Sequence, residues 1–513
     1  MKKSSKILSL FLVFIFMGVL FTACGNSTAP TQVADTTAAG VTIAADAPTQ
    51  KELAPVELKW YLVGGEQKDK DMVLAEMNKI IRPEINATLD TVTYDWDSYE
   101  QKMQLLIASG DSFDLCFTSS WIFNYLQSVS KGAFVAIDSM MNEYAPNATK
   151  QIPENVWKTV KVKGKTYGFP NYQIEVFQDA IAVQKKYVDK YNFDITKVKK
   201  IQDLEPLLVS VAQNDKGVYP IDINSSNQTI YFMRSLGIEE LAGTYMPGAI
   251  YANDKDAKVI NQYESQEVKD LFTTARSWYL KGLWRKDAAT VSDTTADRKT
   301  AKNVVEIEGT YKPGGLAEMA NSMDLKPEEL VEIKFGSPYL SSVAAQAGLT
   351  AISSSCKNPE RAMMFLERIN TDKTLYNLLC HGIEGTHYKK VGTNTVEEVE
   401  NTGYAPGVDW EYGCQFNGFY RPGQEEGTWE LTAQMNQAAQ PSPVLGFSFD
   451  PEAVKVEISQ CQAVIKEYIP ILLTGSADPT SYLPQFLDKL KASGSDKIIQ
   501  EMQKQIDEYK KTV

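Results

Sequence analysis

Between residues 57 and 118 the apolar side chains change rhythm several times. ELKWYLV at residues 57–63 is an apolar run that stops at Gly64-Gly65, and its length and β-branched or aromatic content predict a strand. The next stretch, DKDMVLAEMNKIIRPEI at residues 69–85, sets Met72, Leu74, Ala75, Met77, Ile80 and Ile81 on one face at helical spacing. The alternation then repeats. Residues 88–94 read as a strand, SYEQKMQLLIASG at 98–110 as a helix closed by Gly110, and FDLCFT at 113–118 as a short buried strand. Strand, helix, strand, helix, strand in this order predicts a mainly parallel sheet. Such sheets bind ligands beyond the carboxyl ends of their strands, which nominates the loops 64–68 and 119–124.

A second set of elements follows. VKVKGKTYGFP at residues 160–170 contains a Gly-Lys-Thr, but the earlier glycine of a phosphate-cradling loop is absent because Thr159 stands there, and Pro170 blocks the helix such a loop must open. The stretch reads instead as a hairpin, with strands at 160–162 and 165–169 and a turn at Lys163-Gly164, where glycine supplies a positive φ. A strand at 180–183 and helices at 185–191 and 201–213 begin another α/β unit. In the helix at 266–280, Val268, Leu271, Phe272, Ala275, Trp278 and Tyr279 form an apolar stripe that reads as core. NVVEI at 303–307 is a strand that delivers Glu308-Gly309-Thr310-Tyr311 into a glycine-rich loop. Residues 339–352 read as extended, 357–369 as a helix, and 453–468 and 482–509 as helices, the last interrupted at Ser493-Gly494-Ser495.

The first residues change the picture of where the chain works. Lys2, Lys3 and Lys6 precede ILSLFLVFIFMGVL at 7–20, which is short for a bilayer span but suits a signal-peptide core. It ends in Leu20-Phe21-Thr22-Ala23-Cys24-Gly25, which resembles a bacterial lipobox. That resemblance implies a lipoprotein signal peptide over 1–23, with Cys24 acylated as the new N-terminus. Residues 24–54 are rich in Thr, Ala, Asp and Pro and read as a flexible tether. The remainder is long enough for two domains of similar size. A formal net charge of −13 argues against a nucleic-acid partner. Five of the six cysteines follow Cys24 without a C-x-x-C pair, so buried thiols are expected rather than a disulfide framework or a metal site. His381 and His387 are the two histidines. They lack the H-E-x-x-H spacing of a zinc site, and His381 reads as the last turn of a helix capped by Gly382.

SGDSFDL at 109–115, KGKTYGFPN at 163–171, EGTY at 308–311, AAQAGLTAISSSCKNPERAMMFLERI at 344–369 and YLPQFLDKLKASGSDKIIQEMQKQI at 482–506 occur in an order that resembles the extracellular solute-binding proteins of bacterial ABC importers. The likeness is to their carbohydrate-binding class, which includes maltodextrin-binding protein, and within it to lipoproteins with GIEGTHY (382–388) and SPVLGFSFDP (442–451). This resemblance implies a type II periplasmic-binding-protein-like α/β fold. Two lobes, each a mixed, mainly parallel sheet flanked by helices, would be followed by a helical C-terminal part. Residues 55–168 and about 345–400 would form lobe 1, and about 169–344 and 401–513 lobe 2. Chain crossings would lie at 167–171 and 341–348.

The same resemblance implies a monomer that binds a carbohydrate in the interlobe cleft and delivers it to ABC permease subunits. It would be held by its lipid at the outer face of the membrane, without enzymatic activity or cofactor. Loop position and this likeness together nominate Glu66, Gln67, Ser119, Trp121, Tyr172, Gln173, Glu308, Tyr311 and Phe447 as ligand-binding residues, with Trp410 and Tyr412 in reserve. The types suit the chemistry, since aromatic faces cover the C–H patch of a pyranose while carboxylates and amides meet its hydroxyl rim. Two other readings remain open. A glycoside-acting enzyme needs only two carboxylates about 5–10 Å apart, and a sensory or adhesive lipoprotein would share the bilobal fold.

Overall fold

β1 (Val56–Val63), β2 (Ala87–Tyr94) and β3 (Leu115–Thr118) are linked by the helices Lys70–Ile85 and Tyr99–Ser109, as the alternating rhythm predicts. β4 (Gly168–Pro170) follows the hairpin, and β5 (Ala180–Gln184), β6 (Tyr219–Ile221), β7 (Asn303–Glu308) and β8 (Leu330–Lys334) make up a separate group. β9 (Tyr339–Leu340), β10 (Leu349–Ile352) and β11 (Gln440–Pro441) complete the strands used below. The structure is a computed structural model that describes residues 53–225, 234–242 and 245–511. The signal peptide, Cys24 and nearly all of the tether lie outside the described residues. Among the described residues no helix is long and apolar enough to cross a membrane.

The first sheet has the order β2-β1-β3-β10-β4. β1 runs parallel to β2 over its whole length, from Val56 opposite Ala87 to Val63 opposite Tyr94, and parallel to β3. β10 returns antiparallel between β3 and β4. Trp60, at the centre of β1, is fully buried between the ring edges of Phe365 (5.6 Å) and Tyr412 (6.0 Å). Removing one such aromatic from water is worth about 1.5–3 kcal/mol, and it ties the sheet to helix Pro359–Thr371 and to the loop after residue 404.

The second sheet, β8-β5-β7-β6, differs from the mainly parallel arrangement expected. β7 is parallel to β6 but antiparallel to β5, and β8 is also antiparallel to β5. The reason is the connection between the lobes. β5 carries the chain away from the crossing and β8 carries it back, so these neighbours must run in opposite directions. A second core forms around this sheet and takes in Trp278, Phe447 and the C-terminal helices Lys455–Leu473, Pro479–Ala492 and Ser495–Tyr509.

The crossings also differ from expectation. Gly168–Pro170 belongs to the first sheet, and the chain leaves it only after Asn171. Residues 339–352 are not continuously extended. A short helix, Ser342–Ala345, interrupts them because the Ser341 hydroxyl accepts the Ala344 backbone N–H at 3.1 Å and caps it. Phe177 and Tyr339 exchange two backbone hydrogen bonds of 2.9 Å, and β9 pairs in parallel with β11. Three segments rather than two therefore run side by side between the sheets. Residues past 401, assigned from the sequence to the second lobe, begin in the first. Tyr404, Val408, Tyr412 and Cys414 are buried in the same core as Trp60. The hairpin forms as expected at 161–162 and 165–166, with Lys163 (φ 51°) and Gly164 (φ 78°) both left-handed in its turn.

Candidate functional site

The carboxyl ends of β1, β2 and β3 open at the edge of the first sheet from which the chain leaves at Asn171 and to which it returns before Leu349. β7 and β8 end, and β5 begins, at the corresponding edge of the second sheet. Topology thus places the two ligand-competent edges on either side of the crossing segments.

On the first edge three tryptophans meet. Trp96 follows β2, Trp121 follows β3, and Trp410 lies in the short turn Asp409–Glu411. Trp96 and Trp121 are stacked at 6.1 Å and 24°, while Trp410 lies 5.8 Å from Trp121 and 6.1 Å from Trp96 at steeper angles. Trp96 and Trp121 keep 45% and 48% of their surface exposed, whereas Trp60, Trp157, Trp278 and Trp284 are buried. Leaving two large rings in water while stacking them on a third is not how a core residue behaves.

The platform is held firmly from below. Trp121 donates its indole N–H to the Ala347 carbonyl at 2.8 Å, on the returning crossing. Three successive carbonyls of the Trp410 turn each accept a side-chain hydrogen bond. Asp409 O takes the Tyr376 hydroxyl at 2.7 Å, Trp410 O the Gln173 amide at 3.1 Å, and Glu411 O the Asn171 amide at 2.7 Å. The buried Glu411 carboxyl accepts the Val63 N–H at 2.7 Å, and burial pushes its pKa well up.

The second edge is polar. Arg234 donates to Asp179 at 3.2 Å and to the Gly309 carbonyl at 2.8 Å, and its guanidinium lies 3.8 Å from the centre of the Phe177 ring. Burial raises Asp179 to about 6 against the opposing pull of Arg234. Glu308, at the end of β7, is buried with one carboxyl oxygen lacking a hydrogen-bond partner among the described residues, and burial pushes it up to about 8. Tyr311 carries the Lys334 ammonium over its ring at 4.2 Å, and Lys312 pairs with Glu318 at 2.6 Å. The two edges approach here. Burial lowers Lys312, but Glu318 and Asp409, the neighbour of Trp410, together hold its ammonium above the usual range.

A family model described as the bacterial extracellular solute-binding protein matches residues 65–373, more than half of the chain. The chain belongs to this family. Residues 443–511 match a second model, described only as a domain of unknown function. The solute-binding protein is 28% identical over 462 residues to a carbohydrate ABC transporter substrate-binding protein of Streptococcus pneumoniae serotype 4, covering 88% of this chain and 91% of that one. It is 22% identical over 366 residues to a polygalacturonan/rhamnogalacturonan-binding protein of Bacillus subtilis, covering 67% and 69%. Among solved structures it resembles an N-glycan transport solute-binding protein of S. pneumoniae, with a TM-score of 0.77, 26% identity and coverage of 89% and 99%. That protein has also been solved with Man1GlcNAc and with Man5GlcNAc.

In this solute-binding protein the residues nominated from sequence part company. Trp121, Glu308 and Tyr311 stand at the two edges. Glu66 is exposed on the loop after β1, and Gln67 is engaged there by the Gly65 carbonyl and the Ala405 N–H. Ser119 is fully buried and shapes its own turn, its hydroxyl accepting the Trp121 and Ile122 N–H groups at 3.2 and 2.9 Å. Tyr172 is 6% exposed and packs edge-on against Phe416 at 4.8 Å, in the first core. Gln173 is buried and spends its amide on Trp410. Phe447 is 4% exposed in the second core, 5.9 Å from Tyr509.

Trp96 is not among the residues nominated from sequence, although the strand-end rule that points to the loops after β1 and β3 applies equally to the loop after β2. Of the reserve pair, Trp410 joins the platform and Tyr412 is core. His381 is buried at the end of helix Lys373–His381, and burial pushes it down to about 4 with Arg421 adding to the effect. His387 bonds Asp69 at 3.2 Å. Among the described residues no cluster of three or more His, Cys, Asp or Glu side chains gathers to hold a metal.

Proposed function

We propose that this chain captures an oligosaccharide between its two sheets and presents it to the permease of an ABC importer. The observation that carries the proposal is the exposed tryptophan platform of Trp96, Trp121 and Trp410, set opposite a polar edge carrying Glu308 and Tyr311. Aromatic faces stack on the C–H surface of a pyranose, and the extent of three rings suits more than one sugar unit. The names of the S. pneumoniae relatives support a carbohydrate ligand and an ABC transporter.

A ligand that touches both edges binds the closed arrangement better than the open one and shifts the population towards it. Capture requires no bond making, so the protein works as a binder and not as an enzyme. In this reading Cys24 carries the lipid, and residues 24–54 act as a leash at the outer face of the membrane.

Titration with Man5GlcNAc and with gluco-, xylo- and N-acetylglucosamine oligosaccharides tests the reading, by calorimetry and thermal shift. At a concentration 100 times Kd, stabilisation should reach about 2.7 kcal/mol. A panel in which every saccharide fails while a peptide raises the melting temperature would refute it. Release of shorter sugars from Man5GlcNAc by the pure protein would replace binding with hydrolysis.

A further inference from the structure

A loop of the first lobe reaches across to the second. Residues 421–427 start from Tyr420, whose N–H donates to the Asn394 carbonyl at 2.7 Å and whose carbonyl accepts the Val396 N–H at 2.9 Å. They end at helix Thr428–Ala438, where Trp429 donates its indole N–H to the Gly418 carbonyl at 2.9 Å and stacks on Tyr420 at 5.7 Å and 21°. Phe419 donates its N–H to the Asn377 side chain at 2.8 Å on helix Lys373–His381, whose Leu375, Tyr376 and Leu379 lie in the first core. Both ends of the loop are therefore fastened to the first lobe.

Its tip rests on the second. Gln424 donates its amide to the Glu318 carboxylate at 2.9 Å, on helix Gly315–Ser322. That helix packs on the second sheet, where its Ala320 shares a small core with Ala182 of β5 and Leu330 of β8. Gly423 is left-handed at φ 85°, and a Cβ there would stand 3.0 Å from the Ala317 Cβ and 2.9 Å from the Pro327 Cγ, so the backbone of the tip lies directly against the helix. Lys312 completes the seat by pairing with Glu318 at 2.6 Å. Lys312 follows Tyr311 and Asp409 precedes Trp410, and their opposite charges attract each other across the gap. The tip thus sits beside both ligand edges.

This loop is not one of the three crossing segments, so chain connectivity does not keep its tip on the second lobe. The hydrogen bond and the packing do. Parting the two edges to admit a sugar breaks these contacts, and closing remakes them. We propose that loop 421–427 is a strap that fastens the lobes around the captured ligand, with Gln424 and Glu318 as the positioning pair that sets how fast the ligand leaves. An interaction made only in the closed arrangement adds to its population, and its loss appears in dissociation rather than in association. This inference rests on the oligosaccharide reading above.

Stopped-flow tryptophan fluorescence of the full chain with Man5GlcNAc tests the strap. Gln424→Ala should release the sugar about 10-fold faster, as expected for one lost hydrogen bond to a charged group, with the association rate within about 2-fold of the parent. Gln424→Glu sets like charges against each other and should release it faster still. Adding Glu318→Gln to Gln424→Glu exchanges donor and acceptor and should return dissociation to within a few-fold of the parent. Gln424 also accepts the Arg421 N–H within its own loop at 2.8 Å, but a role confined to that bond would not be rescued by a change at Glu318. Ala317→Leu should wedge the tip off its seat and raise the radius of gyration in small-angle scattering without ligand. Parent-like dissociation in both Gln424→Ala and Ala317→Leu would overturn the strap and leave oligosaccharide capture standing, as would failure of the exchanged pair to restore it. If no saccharide binds, oligosaccharide capture fails and scattering alone decides the strap: a larger radius in Ala317→Leu supports it, and an unchanged one overturns it.

Discussion

Trp121 and Phe447 show how aromatic side chains carry two roles that only exposure separates. Loop position and family likeness nominate both as sugar-facing rings. Trp121 stays half exposed with its indole N–H satisfied by Ala347, so its ring adds little to the core. Trp121→Ala should therefore weaken saccharide binding by about 0.5–1.5 kcal/mol or more, for loss of the stacked face, with a change in melting temperature of a few degrees at most. Calorimetry and a melt on the same preparation check both halves. Phe447 is sealed in the second core beside Tyr509, and Phe447→Ala should destabilise the protein by about 3–5 kcal/mol through the cavity it leaves. An affinity loss from Phe447→Ala without destabilisation would contradict its placement. Tyr172 follows the same logic as Phe447, because a ring directly after a crossing strand can turn inward as readily as into the cleft. Neither inward turn has a signature in the local sequence.

At the scale of the element, the turn Asp409–Glu411 and the crossings form one mechanical unit. Asn171 and Gln173 from the outgoing segment hold the carbonyls of Glu411 and Trp410, and Ala347 from the returning segment holds Trp121. Gly348 keeps these pieces close. A Cβ there would meet the Gln173 amide nitrogen at 2.8 Å and the Trp410 carbonyl at 3.5 Å. Gly348→Ala should push the Gln173 amide off Trp410 and weaken saccharide binding, and Gln173→Ala should do the same without the steric clash. Tryptophan fluorescence with and without a saturating sugar reports the change. Unaltered affinity in both variants would show that the platform does not depend on this support.

The same scale explains which elements were legible. The βαβαβ unit is written in local periodicity and appears as expected, because each helix and strand there is set by its own residues. The antiparallel β5 and β8 are not, since their direction follows from where the chain enters and leaves the second lobe. The short helix Ser342–Ala345 was hidden because Ser341 caps it within a stretch otherwise suited to extension.

Across the whole molecule, buried carboxyls couple the fold to pH. Burial raises Glu239 to about 7, Glu240 to about 7, Glu308 to about 8 and Asp179 to about 6. Glu239 receives the Tyr339 hydroxyl at 2.5 Å and the Ser442 hydroxyl at 2.8 Å, one from each of two crossing segments. A carboxyl whose folded pKa exceeds its unfolded value binds more protons folded than unfolded between the two. Stability then falls as pH rises through that interval. The melting temperature should decline from about pH 5 to about pH 8, and Glu239→Gln should flatten the part of the slope below about 7. A curve that rises over this range would exclude these carboxyls as the controlling groups. Carboxylates held low by partners, such as Asp450 beside Lys163 at 2.7 Å, act only at more acid pH.

The sequence by itself determined the repeating strand-helix order of the first lobe, the core stripe through Trp278, the tight turn at Lys163-Gly164 and the family resemblance. Each is fixed by residues close together in the chain, through periodicity, turn chemistry or ordered motifs. The tertiary structure decided which aromatic rings face solvent, which sheet receives Tyr404 to Cys414, and how Trp96, Trp121 and Trp410 meet. It also decided that Glu308 lies buried at the end of β7, near the Lys312–Glu318 pair. Those outcomes depend on contacts between segments up to 348 residues apart, such as Val63 with Glu411. Such pairings leave no periodic trace in either segment, because the free energy that selects them appears only when the distant surfaces are brought together.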